Sequence, residues 1–125
     1  MIEITRRDGS ITIKGHAGYA ERGQDIVCAA VSALVQVFIA SVDQLTDDDI
    51  KAVISAGNTV IQYGDLTERA QVLLNSFFIG IQMIAEAYPA HVTMKSPSIE
   101  DVKSYGLKTS ESFKKSEVKN VKKLV

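Results

Sequence analysis

Cys28 is the only cysteine in the chain, and His16 stands twelve positions before it. A cysteine attacks as its thiolate, and a protein lowers the thiol pKa by placing it at a helix N-terminus or beside an imidazole. This sequence provides for both. Asp25 is a residue type that caps helices, and an apolar run begins directly after it. With Asp25 as N-cap, Cys28 becomes the third helical residue, where unpaired backbone N–H groups and the positive end of the helix dipole favour an anion. His16, in the loop before that helix, can fold back to take the thiol proton as a general base. The plain structural alternative is a buried small hydrophobe and an exposed loop imidazole.

Other chemistries find less support. His16, His91 and Cys28 give at most three soft ligands with no recognisable ligand spacing, so no metal and no cofactor are expected. Asp47, Asp48 and Asp49 are neighbours in a run, which suits a solvated turn better than convergence on one ion. Gly15, Gly18 and Gly23 are too dispersed for a phosphate cradle, and no G-x-G-x-x-G or Walker-type loop is present.

The elements that would position Cys28 and His16 follow from hydrophobic periodicity. Ile2 and Ile4, then Asp8-Gly9, then Ile11 and Ile13 alternate with period two about a dipeptide that favours a type I′ turn, the pattern of a β-hairpin with one buried face. Gly15 to Gly23 has three glycines and no period, so it reads as a loop. Without apolar anchors, the stretch from His16 to Gly23 is expected to be a mobile lid that orders over bound peptide. A helix is predicted from Asp25 to about Leu45, apolar almost all round and therefore buried on most sides, under a sheet or at a subunit interface.

Lys51 to Ser55 and Thr59 to Tyr63 flank Gly57-Asn58 as a second hairpin. Asp65 with Glu68 resembles a capping box, and Leu66, Ala70, Leu73, Phe77, Ile81, Ile84 and Tyr88 keep helical spacing until Pro89. Phe77, Phe78 and Met83 on that helix read as packing residues. His91 to Lys95 alternates weakly, as a short closing strand. The order ββαββα(β) predicts a two-layer α+β domain, its helices packed on one face of a mostly antiparallel sheet.

Composition is that of a globular domain: 125 residues, 46% hydrophobic, 23% charged, net charge −1. Such a chain buries roughly two-thirds of its unfolded surface without a disulfide. Residues 1–95 hold 7 basic and 11 acidic side chains, and residues 96–125 hold 7 and 4. The last thirty residues are thus a basic, Ser/Lys-rich tail, read as disordered or loosely helical, after a domain spanning 1–95. Because the domain is acidic, nucleic acid is not an expected partner. The N-terminal ten residues carry no apolar segment of a signal peptide, and Ile26 to Val42 falls short of the about 20 residues that span a bilayer, so no membrane role is expected. A lone thiol fits a reducing cytoplasm. Helix surface left uncovered by a single sheet predicts a homodimer drawing on Leu34, Val37, Phe38 or Ser41.

The stretch GHAGYAERGQDIVCAAVSAL, Gly15 to Leu34, resembles the signature of the ribosomal-processing cysteine proteases, a bacterial family formerly described only as a domain of unknown function. The Gly-His pair, the lead-in Asp25-Ile26-Val27, Cys28, Ser32 one turn later and the His-to-Cys spacing carry the likeness, which extends over about residues 1 to 95. The resemblance implies a homodimeric endopeptidase that removes a short N-terminal extension from a large-subunit ribosomal protein, cutting just after an aromatic residue. Cys28 would be its nucleophile and His16 its general base. Gly15 would permit close backbone approach, Asp25 would cap the helix and orient the loop, and Ser32 would support the site. Gln24 and helix-start N–H groups are candidates for oxyanion stabilisation. The tail is foreign to the family, and relatives occur near phage head genes. A phage capsid or scaffold protein is therefore the alternative substrate, and a noncatalytic protein-binding module the alternative from another class.

Overall fold

The structure, a computed structural model, describes residues 1–95; the predicted tail, 96–125, lies outside the described residues. Strands β1 (Ile2–Arg7) and β2 (Ser10–Lys14) form the first hairpin, followed by α1 (Ile26–Leu45), the hairpin β3 (Ile50–Ser55) and β4 (Asn58–Tyr63), α2 (Glu68–Ala87) and β5 (Val92–Lys95). The five strands make one sheet in the order β3-β4-β2-β1-β5. All neighbours pair antiparallel except β1 and β5, where Ile2 faces Val92 and Ile4 faces Met94 in parallel register. The architecture is α+β, as the element order predicts.

Period-two alternation does what it should. Ile2, Ile4, Ile11, Ile13 and Ile61 point to one face and are buried there against Val27, Val31, Val35, Phe38 and Val42 of α1 and Leu74, Phe77, Phe78, Ile81 and Ile84 of α2. Each of these side chains contributes about 1.5–3 kcal/mol when fully withdrawn from water. One inward position of β1 is a cation: Arg6 is buried, with its guanidinium carbon 4.3 Å from the centroid of the Phe78 ring. On the opposite face of the sheet Lys95 and Glu3 form an exposed ion pair at 3.8 Å of the kind worth little to stability.

Four expectations are corrected. Neither hairpin turn is type I′, because only the glycines Gly9 (φ 78°) and Gly57 (φ 71°) take positive φ whereas type I′ needs two such residues. The second turn is Ala56-Gly57, with Asn58 already paired to Ser55. Helix α2 is capped by Thr67, whose hydroxyl accepts from Ala70 N–H, and Asp65 lies before the cap. The reason is Asp48, which accepts from both the backbone N–H and the hydroxyl of Thr67 and so fixes the chain where α2 starts. These bonds, from the Thr67 side chain first, hold the Asp48 carboxyl below its ordinary range. The aspartate run is thus solvated at Asp47 and Asp49 but braces the fold at Asp48.

Helix α1 also departs from the reading. Within one chain it is buried along a single stripe that faces the core, while Ile26, Val37 and Leu45 are exposed. Its 20 residues do have the length and hydropathy of a membrane span, which the apolar-run reading placed as too short; in this fold the stripe is covered by the sheet and by α2. Strand β3, at the sheet edge, leaves Val53 and Ile54 exposed as well.

Phe77 sits where both helices meet, with its ring 5.4 Å from Phe38 and 5.2 Å from Phe78. Phe77→Ala is expected to lower the unfolding free energy by about 3–5 kcal/mol, read from urea denaturation with an unchanged slope.

Candidate active site

Helix α1 starts where it does because of Asp25. Its carboxylate Oδ1 accepts from the N–H groups of Val27 (3.0 Å) and Cys28 (2.9 Å), leaving Cys28 in the first turn with its side chain half-buried. The other oxygen, Oδ2, accepts from Tyr19 N–H (3.0 Å) and Ala20 N–H (3.4 Å) in the preceding loop. One side chain therefore caps the helix and ties the loop to it. Hydrogen bonding, with Cys28 N–H the largest cause, holds the Asp25 carboxyl below its ordinary range.

The loop is anchored at its base, against the expectation of a lid without apolar anchors. Ala17 is buried, and Tyr19 packs edge-on against Tyr88 (centroids 5.5 Å apart) and His91 (5.4 Å). The stretch from Ala20 to Gln24 stays exposed. Ala17 N–H donates to the Cys28 sulfur at 3.3 Å, which places a backbone donor on the atom that would carry thiolate charge.

His16 and Cys28 line one cleft of about 630 Å³, together with Arg22, Asp25, Ser32 and Ala56. The imidazole lies over the β3–β4 turn, so that a Cβ on Gly57 would stand 2.8 Å from His16 Nε2. Among the described residues no hydrogen bond joins His16 to Cys28. Such pairs are often loose until a ligand tightens them.

The structure thus brings Cys28, His16, Asp25 and Ser32 to one cleft and leaves Gln24 off its lining, with the Gln24 backbone N–H bonded to Glu21 C=O. It also redirects the oxyanion expectation, since the helix-start N–H groups of Val27 and Cys28 are already committed to Asp25. Gly15 does permit close backbone approach, but to this chain itself: at φ 94°, a Cβ there would collide with the carbonyl of Met1. Ala17 and Gly57 escaped the sequence reading because they act through backbone and through the absence of a side chain. The glycine in the second hairpin turn was the one available signal.

A half-buried thiol in the first turn of a helix, sharing a cleft with an imidazole, is the equipment of a cysteine-dependent hydrolase. Comparison with known proteins points the same way. The sequence profile described as Cysteine protease Prp matches residues 1–93. The ribosomal processing cysteine protease Prp of Mycoplasma genitalium is 32% identical over 102 residues, covering 80% of this chain and all of that protein. Its counterpart from Staphylococcus aureus is 31% identical over 100 residues, 74% of this chain and 94% of its own. A crystal structure of an essential ribosomal processing protease Prp from S. aureus, in complex with a covalently linked product peptide, superposes with a TM-score of 0.70 at 26% identity, covering 77% of this chain and 97% of that one. A second, with a substrate peptide, gives 0.65 at 25% identity and the same coverage. The chain belongs to the ribosomal processing cysteine protease (Prp) family and is a cysteine protease.

The lowered Asp25 carboxyl has a signed consequence. Its contribution to stability is complete above the unfolded value of 3.8 and is lost as pH falls through the lower folded value. Thermal unfolding followed by circular dichroism should show wild type losing stability across that acid window. Asp25→Ala is expected to be less stable at neutral pH and to show a flatter acid limb.

Proposed function

We propose that this protease removes a short N-terminal extension from a large-subunit ribosomal protein, cutting just after an aromatic residue, with Cys28 as nucleophile and His16 as general base. The observation that carries this reading is the Cys28 sulfur, held at the start of α1 under the Ala17 N–H, in the cleft His16 also lines. The relatives are named for ribosomal processing, and two S. aureus structures hold peptide, one of them covalently linked. Those names weigh for a ribosomal substrate over a phage structural protein.

In this reading His16 rotates from Gly57 toward Cys28 and takes the thiol proton. The thiolate attacks the scissile carbonyl carbon, forming a C–S bond and a tetrahedral oxyanion. Collapse breaks the C–N bond, and the imidazolium returns the proton to the departing amine. The thioester left on Cys28 is then attacked by water that gives its proton to His16. The extension leaves with a new carboxylate, and the thiol is regenerated. Asp25 and Ser32 support the cleft. The compartment is the cytoplasm, where the lone thiol stays reduced.

Cys28→Ala is expected to abolish cleavage of a peptide containing the aromatic junction while the circular dichroism spectrum is unchanged. Wild-type Cys28 should react with iodoacetamide at pH 7 faster than a free thiol. Turnover by the mutant, or slow labelling of the wild type, would refute the nucleophile.

The working unit in this reading is a homodimer. Ile54 (61% exposed) on β3 lines a groove of about 340 Å³ with Ile39, Ala40, Ile50 and acidic residues such as Asp43, and Val37 (61%) on α1 and Val53 (70%) on β3 are exposed elsewhere, apolar surface that a second copy would cover. Of the residues first expected there, Phe38 is ruled out because it is 3% exposed in its own chain, and Leu34 packs against Gly80 of α2. Light scattering should give a dimer mass for the full chain at micromolar concentration and a monomer mass for Val37→Glu.

A further inference from the structure

His91 reaches the loop before α1 from 74 positions further along the sequence. Its Nδ1 lies 2.9 Å from the carbonyl oxygen of Ala17. A carbonyl can only accept, so Nδ1 carries the proton and donates. The N–H of the same Ala17 is the group that donates to the Cys28 sulfur. Two hydrogen bonds therefore grip the peptide groups on either side of Ala17, one ending on the nucleophile and the other on His91. His16 is part of the first of those peptide groups.

The support beneath His91 is independent of the loop it holds. Its backbone N–H donates to Tyr88 C=O (2.9 Å) at the end of α2, and its carbonyl accepts from Ile2 N–H (2.8 Å) at the start of β1. Val92 directly after it enters β5, paired with Ile2. The imidazole stands nearly perpendicular to the Tyr19 ring, at 82°, and Tyr19 N–H is bound by Asp25. Ala17 is 2% exposed, so its peptide groups sit where water cannot readily replace a lost partner. Nothing in the proton transfers proposed for Cys28 and His16 uses this second histidine.

We propose that His91 is a positioning residue for the protease reaction: its Nδ1–H clamps the Ala17 carbonyl, keeps the Ala17 N–H aimed at the Cys28 sulfur, and so favours the thiolate and fixes the root of His16. The proposal rests on the reading of Cys28 and His16 as the reacting pair. It assigns the parallel strand β5 a role at the site, since β5 and the α2 end are what hold His91 in place.

Two substitutions separate the hydrogen bond from the packing of the ring. His91→Phe keeps an aromatic edge for Tyr19 but has no N–H to donate. His91→Asn gives up the ring but puts an amide N–H near the position of Nδ1. The readouts are the pH profile of Cys28 alkylation by iodoacetamide, which needs no turnover, and kcat and KM for a peptide substrate. A thiolate deprived of an aligned donor is less favoured, so His91→Phe is expected to move the alkylation midpoint up by about one unit and lower kcat about tenfold, with KM changed less. His91→Asn is expected to restore both to within about threefold of wild type.

A wild-type alkylation profile in His91→Phe, or an Asn variant no better than Phe, would overturn the proposal. Should His91→Phe fail to fold by circular dichroism, the Asn variant decides alone: a folded His91→Asn protein with a raised midpoint and low kcat refutes the clamp. Cleavage retained by Cys28→Ala would instead overturn the reacting pair and this proposal with it. An inactive Cys28→Ala beside an unperturbed His91→Phe would overturn the clamp only.

Discussion

The carboxylate of Asp25 is the interaction on which the rest of the site depends. Four N–H groups from two segments converge on its two oxygens, a pair from the first turn of α1 and a pair from the loop before it. An ionised carboxylate one turn from a thiol would by itself disfavour the thiolate through like charge. The four donors spread that charge, and the helix dipole and the Ala17 N–H work in the opposite direction at the sulfur. Asp25 therefore fixes geometry while its own charge is absorbed locally. The same cap holds Tyr19 and Ala20, the residues that follow Ala17 in the loop, beside the first turn of α1.

How much of this was legible in the sequence depended on whether the cause was local. Ile2 and Ile4 against Ile11 and Ile13 announce their hairpin because alternation and a turn dipeptide sit side by side, and Asp25 announces α1 because a cap and the run it starts are adjacent. The start of α2 was read two residues early because its true cap, Thr67, is chosen by Asp48, nineteen positions away. Which stripe of α1 its own sheet covers was not legible, because a uniformly apolar helix carries no mark of that side. That Cys28 and His16 lie close enough to share a cleft was legible from their spacing about the cap, whereas the loop's anchors at Ala17, Tyr19 and His91 depend on a contact spanning 74 positions.

Helix α1 serves two regions that make different demands. Its first turn must keep a polar, donor-rich environment around Cys28, and its later turns supply Val31, Val35, Phe38 and Val42 to the core. The apolar character that secures the second region also leaves Val37 in water, and the edge strand β3 leaves Val53 and Ile54 uncovered. Exposed apolar side chains and an unpaired strand edge both invite association unless they are covered or guarded. Asp43 and Asp49 on the border of the groove supply such guarding charge.

The contacts of Gly15 and Gly57 bear on how this sequence can drift. At one, any side chain meets the Met1 carbonyl; at the other, any side chain meets the imidazole of His16, and both carry a positive φ besides. Gly15 is thus closed to a side chain both by the Met1 backbone and by its φ, whereas at Gly57 the left-handed φ is the standing obstacle and a side chain would displace the imidazole from the turn, although neither residue has a functional group. Substitution tolerance across this domain should then run opposite to chemical interest at these points: exposed charged residues such as Glu21 can change freely, while two residues without side chains cannot. A search for the site guided by reactive groups alone would pass over the floor on which His16 rests.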